Sequence, residues 1–373
     1  MKSISIHRPT RAIISMQAIK DNIQKAIKHL DGTMEVFAVL KADAYGHGAL
    51  AIAPLALEAG ATGFAVATLD EAIDLRKSGI KAPVLVLEAV SAQYISLLQK
   101  YDIQSTLASM EWWEKAQRFT DGLEKNKPIK LHIKVDTGMG RLGFLTSEEV
   151  FEMIRKLEGN EFFTWEGIFT HFATADTQDT AHFNVQSERF NKIVNQLPKL
   201  PRYVHVSNSA ATIWRKNEVS NMVRFGVGIY GLNPSGVELT DEMNLTPTLS
   251  LESELVQVKQ LPRGEKVSYG ATYTTSGPEW IGTVPLGYAD GWIRAMQGFK
   301  VLVNGERCEI VGRVCMDQLM IRLPKKMEEG TKVTFIGKNG KDEITMQEVA
   351  EYMGTIHYEV ACMISERVPR VYI

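Results

Sequence analysis

Between residues 34 and 230 the chain alternates short apolar runs with longer amphipathic stretches. The runs MEVFAVL, GFAVA, PVLVLE, DIQSTL, IKLHIKV, TWEGIFTH, RYVHVS and NMVRFG are strand-length and rich in the β-branched and aromatic residues that suit strands. Most are separated by ten or so residues of helical pattern, such as LDEAIDLRKSG and SAQYISLLQK, which is the rhythm of parallel βα units. Eight such units predict an α/β fold, a closed (β/α)8 TIM barrel. An open doubly wound sheet usually has fewer strands and a GxGxxG turn after its first, where this chain has KADAYGHG. The earlier segment RAIISM would be a ninth strand and is assigned outside the barrel.

After about residue 240 the rhythm changes to strand upon strand: SLESELVQVKQL, KVSYGATYT, EWIGTVPLGY, KVLVNGERCEIVGRV, QLMIRL and KVTFIGK, joined by turn signals such as LPRGE and VNGE. One helical segment, TMQEVAEYMG, follows. The expected organisation is a barrel over residues 1–240 and a mostly-β domain over 241–373, with residues 1–16 pairing with the second. A length of 373 residues, beyond what one core usually holds, suits two domains.

Charge changes the picture by exclusion. Acidic and basic residues number 44 and 42 with no long run of either sign, so nothing marks a nucleic-acid or anionic-membrane partner, and a small molecule is expected. No apolar stretch nears the roughly 20 residues of a spanning helix, and MKSISIHRPT lacks a signal peptide's apolar core, so the expectation is a soluble, cytoplasmic protein. Cys308, Cys315 and Cys362 are widely spaced and odd in number, which suggests neither a disulfide framework nor a zinc cluster.

In such a barrel the chemistry gathers just after each strand. There the chain carries Lys41 and Tyr45, then Lys134, Asp136 and Arg141, then His171 and Asp176, then His205, Asn208 and Ser209, and finally Arg224, Gly226 and Gly228. A lysine that ends a buried strand in AVLKADAYGHGA aims an amine at something, although a solvated strand end is the commoner fate. VSNSAAT and RFGVGIYG resemble anion sites, although turn and cap chemistry also uses Ser, Asn and Gly. Lysine and phosphate site together suggest pyridoxal phosphate, whose aldehyde condenses with an amine; aldolases share that plan, and spacing alone leaves the reaction open.

AVLKADAYGHGA, KVDTGMGRLGF, HFATAD, HVSNSA, VRFGVGIYG, VSYGATY, PLGYADGW, GRVCMDQ and TIHYEV, in that order, resemble the alanine racemase family over essentially the whole chain. The RAIISM strand departs, since relatives commonly carry a Trp and acidic residues there. The resemblance implies a homodimer with shared active sites that uses pyridoxal 5′-phosphate to racemise alanine, supplying D-alanine for peptidoglycan. It implies that Lys41 holds the cofactor and is one catalytic base, and that Tyr269 of the other subunit is the second, with His171 behind it. Tyr45, Asn208, Ser209, Gly226, Val227 and Tyr358 would bind the cofactor, and Arg224 would face its ring nitrogen. Arg141 and the backbone of Met316 of the other subunit would hold the substrate carboxylate, supported by Lys134 as a carbamylation site and by His205, Cys315 and Asp317. Asp176, Tyr288, Arg294, Arg313 and Ile356 would line the substrate entrance.

On residues alone Tyr269 reads as a packed strand tyrosine, and Cys315, Met316 and Asp317 as a strand edge. A racemase for another small amino acid such as serine, and a pyridoxal-phosphate homeostasis protein without turnover, are the alternatives. The β domain carrying Tyr269 and CMDQ argues against the second, and an arginine rather than an acid near the ring nitrogen argues against related decarboxylases.

Overall fold

The computed structural model describes residues 4–215 and 219–373. The chain divides into two compact units: Ala18–Ala44 with Gly48–Pro247, and Met1–Gln17 with Tyr45–His47 and Thr248–Ile373. After strand β1 (Arg11–Ile14), the first unit is built on β2 (Glu35–Val39), β3 (Gly63–Val66), β4 (Val84–Val86), β5 (Gln104–Leu107), β6 (Ile129–Lys134), β7 (Phe163–Phe169), β8 (Tyr203–His205) and β9 (Met222–Phe225). These eight close into a parallel barrel in chain order, with β9 returning to β2. Seven fall within their expected apolar runs and β7 starts one residue before its own, because the strands are largely buried on both faces, one in the barrel interior and one under helices. Two of those helices start at capping boxes: Thr68 with Glu71 opens Leu69–Lys77, and Thr146 with Glu149 opens Ser147–Leu157.

The second unit holds β10 (Leu249–Glu254), β11 (Gln257–Leu261), β12 (Lys266–Val267), β13 (Tyr273–Thr274), β14 (Glu279–Val284), β15 (Lys300–Val303), β16 (Glu306–Glu309), β17 (Leu319–Leu323), β18 (Lys332–Asn339), β19 (Asp342–Ile344) and β20 (Arg370–Tyr372). Its main sheet runs β16-β15-β18-β10-β1-β20, with β19 on β18. Strand β1 pairs antiparallel with β10 and parallel with β20. A second sheet runs β11-β14-β17.

Two segments differ from their expected form. SLESELVQVKQL is two strands in different sheets, because the backbone changes partners at Leu255 and Val256, whose N–H groups donate to Thr331 and Thr283. KVSYGATYT is a tight hairpin, β12–β13, whose tip places Ser268, Gly270 and Ala271 at positive φ. Among the described residues no helix is long and apolar enough to cross a membrane.

Candidate active site

Period-two alternation stacks the barrel interior in layers. Phe37, Leu85, Tyr203 and Met222 form an apolar floor. Two residues further along their strands come His205 and Arg224, so a polar layer lies above the apolar one. His205 Nε2 lies 2.9 Å from Nδ1 of His132, and His132 Nε2 lies 2.9 Å from Oε1 of Gln104. The His132 ring needs a gap in β7: a Cβ on Gly167 would overlap it.

Arg224 is buried, and both of its terminal nitrogens are hydrogen-bonded. Nη1 lies 2.6 Å from His205 Nδ1, and Nη2 donates to the carbonyls of Thr170 and Val206 at 2.9 and 3.0 Å. Nη2 also lies 3.3 Å from His171 Nδ1. Burial, with Arg141 second, pulls the guanidinium down to about 9, which leaves it charged at neutral pH. Burial first and Arg224 second hold both His171 and His205 well below the ordinary imidazole value, and bring His132 to about 3. These imidazoles are neutral.

Lys134 ends β6 with its amine buried 5.6 Å above the Phe169 ring. The amine donates to the carbonyls of Val135 and Leu142, at 2.8 and 3.2 Å. Burial lowers its pKa to about 8 against the opposing pull of Asp136. The Asp136 carboxylate is occupied by the following loop: Oδ1 accepts from Gly138, Met139 and Gly140, and Oδ2 from Arg141, at 2.9–3.0 Å. One side chain thus sets the backbone that carries Arg141.

Lys41 follows β2 and begins a turn of unusual hand. Ala42, Asp43, Ala44 and Tyr45 have φ of 51°, 52°, 55° and 54°, with Gly46 at 76°. For non-glycine residues this left-handed backbone costs roughly 1–2 kcal/mol each, so the surroundings must hold it. Hydrogen bonds to its backbone and neighbours do so, among them Gly48 N to Asp43 O at 2.9 Å. Ala44 N donates to Leu40 O at 2.9 Å, Ala49 N to Asp43 Oδ1 at 2.7 Å, and Ala42 N to Glu71 Oε1 at 2.7 Å. Neither the turn nor Glu71 was expected; the only local signal for Glu71 was the T-x-x-E cap in TLDE.

A cavity of about 400 Å³ at this end of the barrel is lined by Lys41, Lys134, Arg141, His171 and Arg224, with Ala67, Leu87, Glu88, Ala89, Leu142 and Phe169. Four cationic side chains therefore face one carboxylate. Nearby in sequence to β8 and β9, Asn208 caps the short helix Ser209–Trp214, and Ser209 Oγ accepts from Gly226 N at 2.8 Å and Gly228 N at 3.3 Å. Val227 opens the 3-10 turn that follows. Asp176 is half-buried, and burial raises its carboxyl pKa.

The remaining candidates lie in the β unit. Tyr45 is buried there with its ring 6.1 Å from that of Tyr358, and burial pushes its hydroxyl pKa upward. Tyr269 is no packed strand residue: it stands on the hairpin tip, 70% exposed. Behind it Ser268 Oγ donates to Arg313 O at 2.5 Å and lies 3.5 Å from Cys315 Sγ. Tyr288 N and Ala289 N donate to Cys315 O and Met316 O, each at 3.0 Å. Ser268, next to Tyr269, thus shares one hydrogen-bonded patch with Tyr288, Arg313, Cys315 and Met316, from which Met316 and Tyr288 project to solvent. Asp317 pairs with Arg367 at 2.8 Å. Arg294 is exposed at the start of a 3-10 turn, and Ile356 is an exposed N-cap before the helix His357–Met363.

A closed parallel barrel with a lysine, two arginines and neutral imidazoles at the ends of its strands is the plan of a barrel enzyme. Residues 14–234 match the model of the alanine racemase N-terminal domain, and residues 248–372 that of the alanine racemase C-terminal domain. An alanine racemase from Ligilactobacillus salivarius is 52% identical over 99% of both chains. The crystal structure of alanine racemase from E. faecalis is 53% identical over the full length of both chains, with a TM-score of 0.97. A histidine racemase from Leuconostoc mesenteroides shares the fold at 31% identity and a TM-score of 0.93. The chain belongs to the alanine racemase family.

Proposed function

We propose that this protein interconverts L- and D-alanine with pyridoxal 5′-phosphate as cofactor, and that it does so as a homodimer supplying D-alanine for peptidoglycan. The observation that carries this reading is the Lys41 amine on one cavity with Arg141, His171 and Arg224. The donor set suits an anionic aldehyde, since the cavity's cations outnumber its anions whether or not Lys134 is modified, and the backbone N–H groups of Gly226 and Gly228 converge on Ser209. Lys41 would hold the cofactor, and Tyr45, Asn208, Ser209, Gly226, Val227 and Tyr358 would bind it. When bound, the cofactor withdraws electrons from the substrate Cα and so acidifies its hydrogen.

Inversion at Cα needs a proton taken from one face and one returned to the other, so two bases on opposite faces suffice. Lys41 would serve one face and Tyr269 of the other subunit the other. Arg141, aided by the Met316 backbone of the other subunit, would hold the substrate carboxylate. Arg224 carries only donors, so an acceptor nitrogen facing it keeps its lone pair and the electron withdrawal stays moderate. The neutral His171, within reach of Arg224, would orient Tyr269 without competing for its proton. Asp176, Tyr288, Arg294, Arg313 and Ile356 would line the entrance, and Cys315 and Asp317 would support Met316.

Lys134 is assigned a carbamate. Its amine, lowered to about 8, is partly neutral near physiological pH. The free nitrogen adds to carbon dioxide and loses a proton, which turns a cation beside Arg141 into an anion that can steady it.

The test is to incubate the purified protein with L-alanine, L-serine and L-histidine separately and follow D-isomers by chiral chromatography. D-alanine formed fastest supports the reading; D-serine or D-histidine formed faster assigns another substrate, and none assigns a non-catalytic role.

A further inference from the structure

Resting on that reading, we propose that Glu71 is a positioning residue for Lys41. Its carboxylate ties the first residue of the left-handed turn to the start of the helix Leu69–Lys77, and so fixes the direction in which the lysine leaves β2.

The tie exceeds what the helix needs. In the Thr68–Glu71 capping box, Glu71 N donates to Thr68 Oγ1 at 3.3 Å, and Glu71 Oε2 accepts from Thr68 N at 3.0 Å and Ala67 N at 2.8 Å. The Thr146–Glu149 box has the same form: Glu149 N donates to Thr146 Oγ1 at 3.2 Å, and Glu149 Oε2 accepts from Thr146 N at 3.0 Å and Leu145 N at 2.9 Å. Among the described residues the hydrogen bonds of Glu149 stay within its own cap. Those of Glu71 do not: Oε1 turns outward and accepts from Ala42 N at 2.7 Å, 29 residues away in sequence.

That bond acts on Lys41 through covalent geometry. The Lys41 carbonyl and the Ala42 N–H share one planar peptide unit, so fixing the N–H direction fixes the carbonyl plane of Lys41. The Lys41 Cα then cannot rotate freely against the barrel. Ala42 is also where the left-handed run begins, at φ 51°, so the same bond holds the strained end of the turn. A carboxylate suits the task because it is acceptor-only on both oxygens and can serve the cap and Ala42 together. A glutamine has one acceptor oxygen, which can satisfy one side alone.

The experiment uses the cofactor-loaded enzyme and the variants E71Q, T68A and E149Q. Glutamine at this helix position retains a capping box, so E71Q keeps the helix and loses the Ala42 tie. Three quantities are measured: kcat and KM for alanine, the melting temperature, and the rate at which hydroxylamine strips the cofactor, followed by visible absorption. E71Q is expected to lower kcat about 10- to 100-fold, with KM changed by less than about threefold. Stripping should be several-fold faster, while E71Q melts no lower than T68A. T68A and E149Q should keep the wild-type kcat and stripping rate. An E71Q kcat within twofold of wild type, or an equal loss in T68A, overturns the proposal and leaves Glu71 a helix cap. A wild-type protein that neither holds the cofactor nor racemises alanine refutes the proposed function instead.

Discussion

Nη1 of Arg224 lies 2.6 Å from Nδ1 of His205, and since a guanidinium can only donate, that contact fixes the imidazole tautomer. His205 must carry its proton on Nε2 and give it to His132 Nδ1, and His132 must then give its own Nε2 proton to Gln104 Oε1. The direction of every hydrogen in the chain follows from one cation.

Acid should break this chain first. His132, His171 and His205 have pKa values lowered by folding, so below about pH 6.5 the unfolded chain binds protons that the native barrel refuses, and stability falls as pH falls. Each contributes about 1.4 kcal/mol per pH unit in that window. Melting curves between pH 7 and pH 5 should therefore drop steeply, and His132→Gln should flatten the slope. Equal slopes for the two proteins would contradict the assignment.

Gly167→Ala should disturb the same relay from the opposite side. The added methyl overlaps the His132 ring, and overpacking of this kind costs about 1–3 kcal/mol. Urea unfolding is expected to register that loss and racemisation to fall with it. A variant of unchanged stability would mean that β7 can yield at this point.

Tyr269 offers a test that ordinary rates cannot supply. Enantiomers have equal free energy, so kcat/KM must stay equal in the two directions whatever is substituted. The face must instead be read from solvent hydrogen. In Tyr269→Phe, exchange of the L-alanine α-hydrogen with deuterium oxide should fall at least tenfold further than that of D-alanine. Equal losses would remove Tyr269 as a face-specific base.

For Lys134, labelled bicarbonate at pH 8 should give a carbamate carbon resonance in the wild-type protein and none in Lys134→Ala. The same variant should raise KM for alanine while cofactor attachment persists. A wild-type spectrum without that resonance would leave Lys134 a plain amine donating to Val135 and Leu142.

The barrel was legible because its strands are buried on both faces and read as unbroken apolar runs such as MEVFAVL and PVLVLE, bounded by helical spacing. Tyr269 was not legible from its neighbours: KVSYGATYT has a strand's composition, and only the positive φ of Ser268, Gly270 and Ala271 turns it into an exposed tip. The left-handed turn after Lys41 was hidden for a related reason. ADAY is ordinary helix-forming sequence, and its hand is set by long-range ties such as Glu71 to Ala42, which no local pattern records. His132 could be placed facing inward by alternation, but its link to His205 joins β6 to β8 across the barrel interior, which no local pattern records.

Asp136 carries one more implication. Its two oxygens are given to four N–H groups of the loop it begins, so Asp136 sets the backbone that carries Arg141 and does not itself neutralise the guanidinium. The cavity consequently offers its arginine charge to whatever enters, and molecules should be sorted by whether they bring an anion. Simple amines of alanine's size would meet the Arg141 and Arg224 charges with no carboxylate of their own to pair with them, whereas small carboxylates without any amine should compete for the cavity.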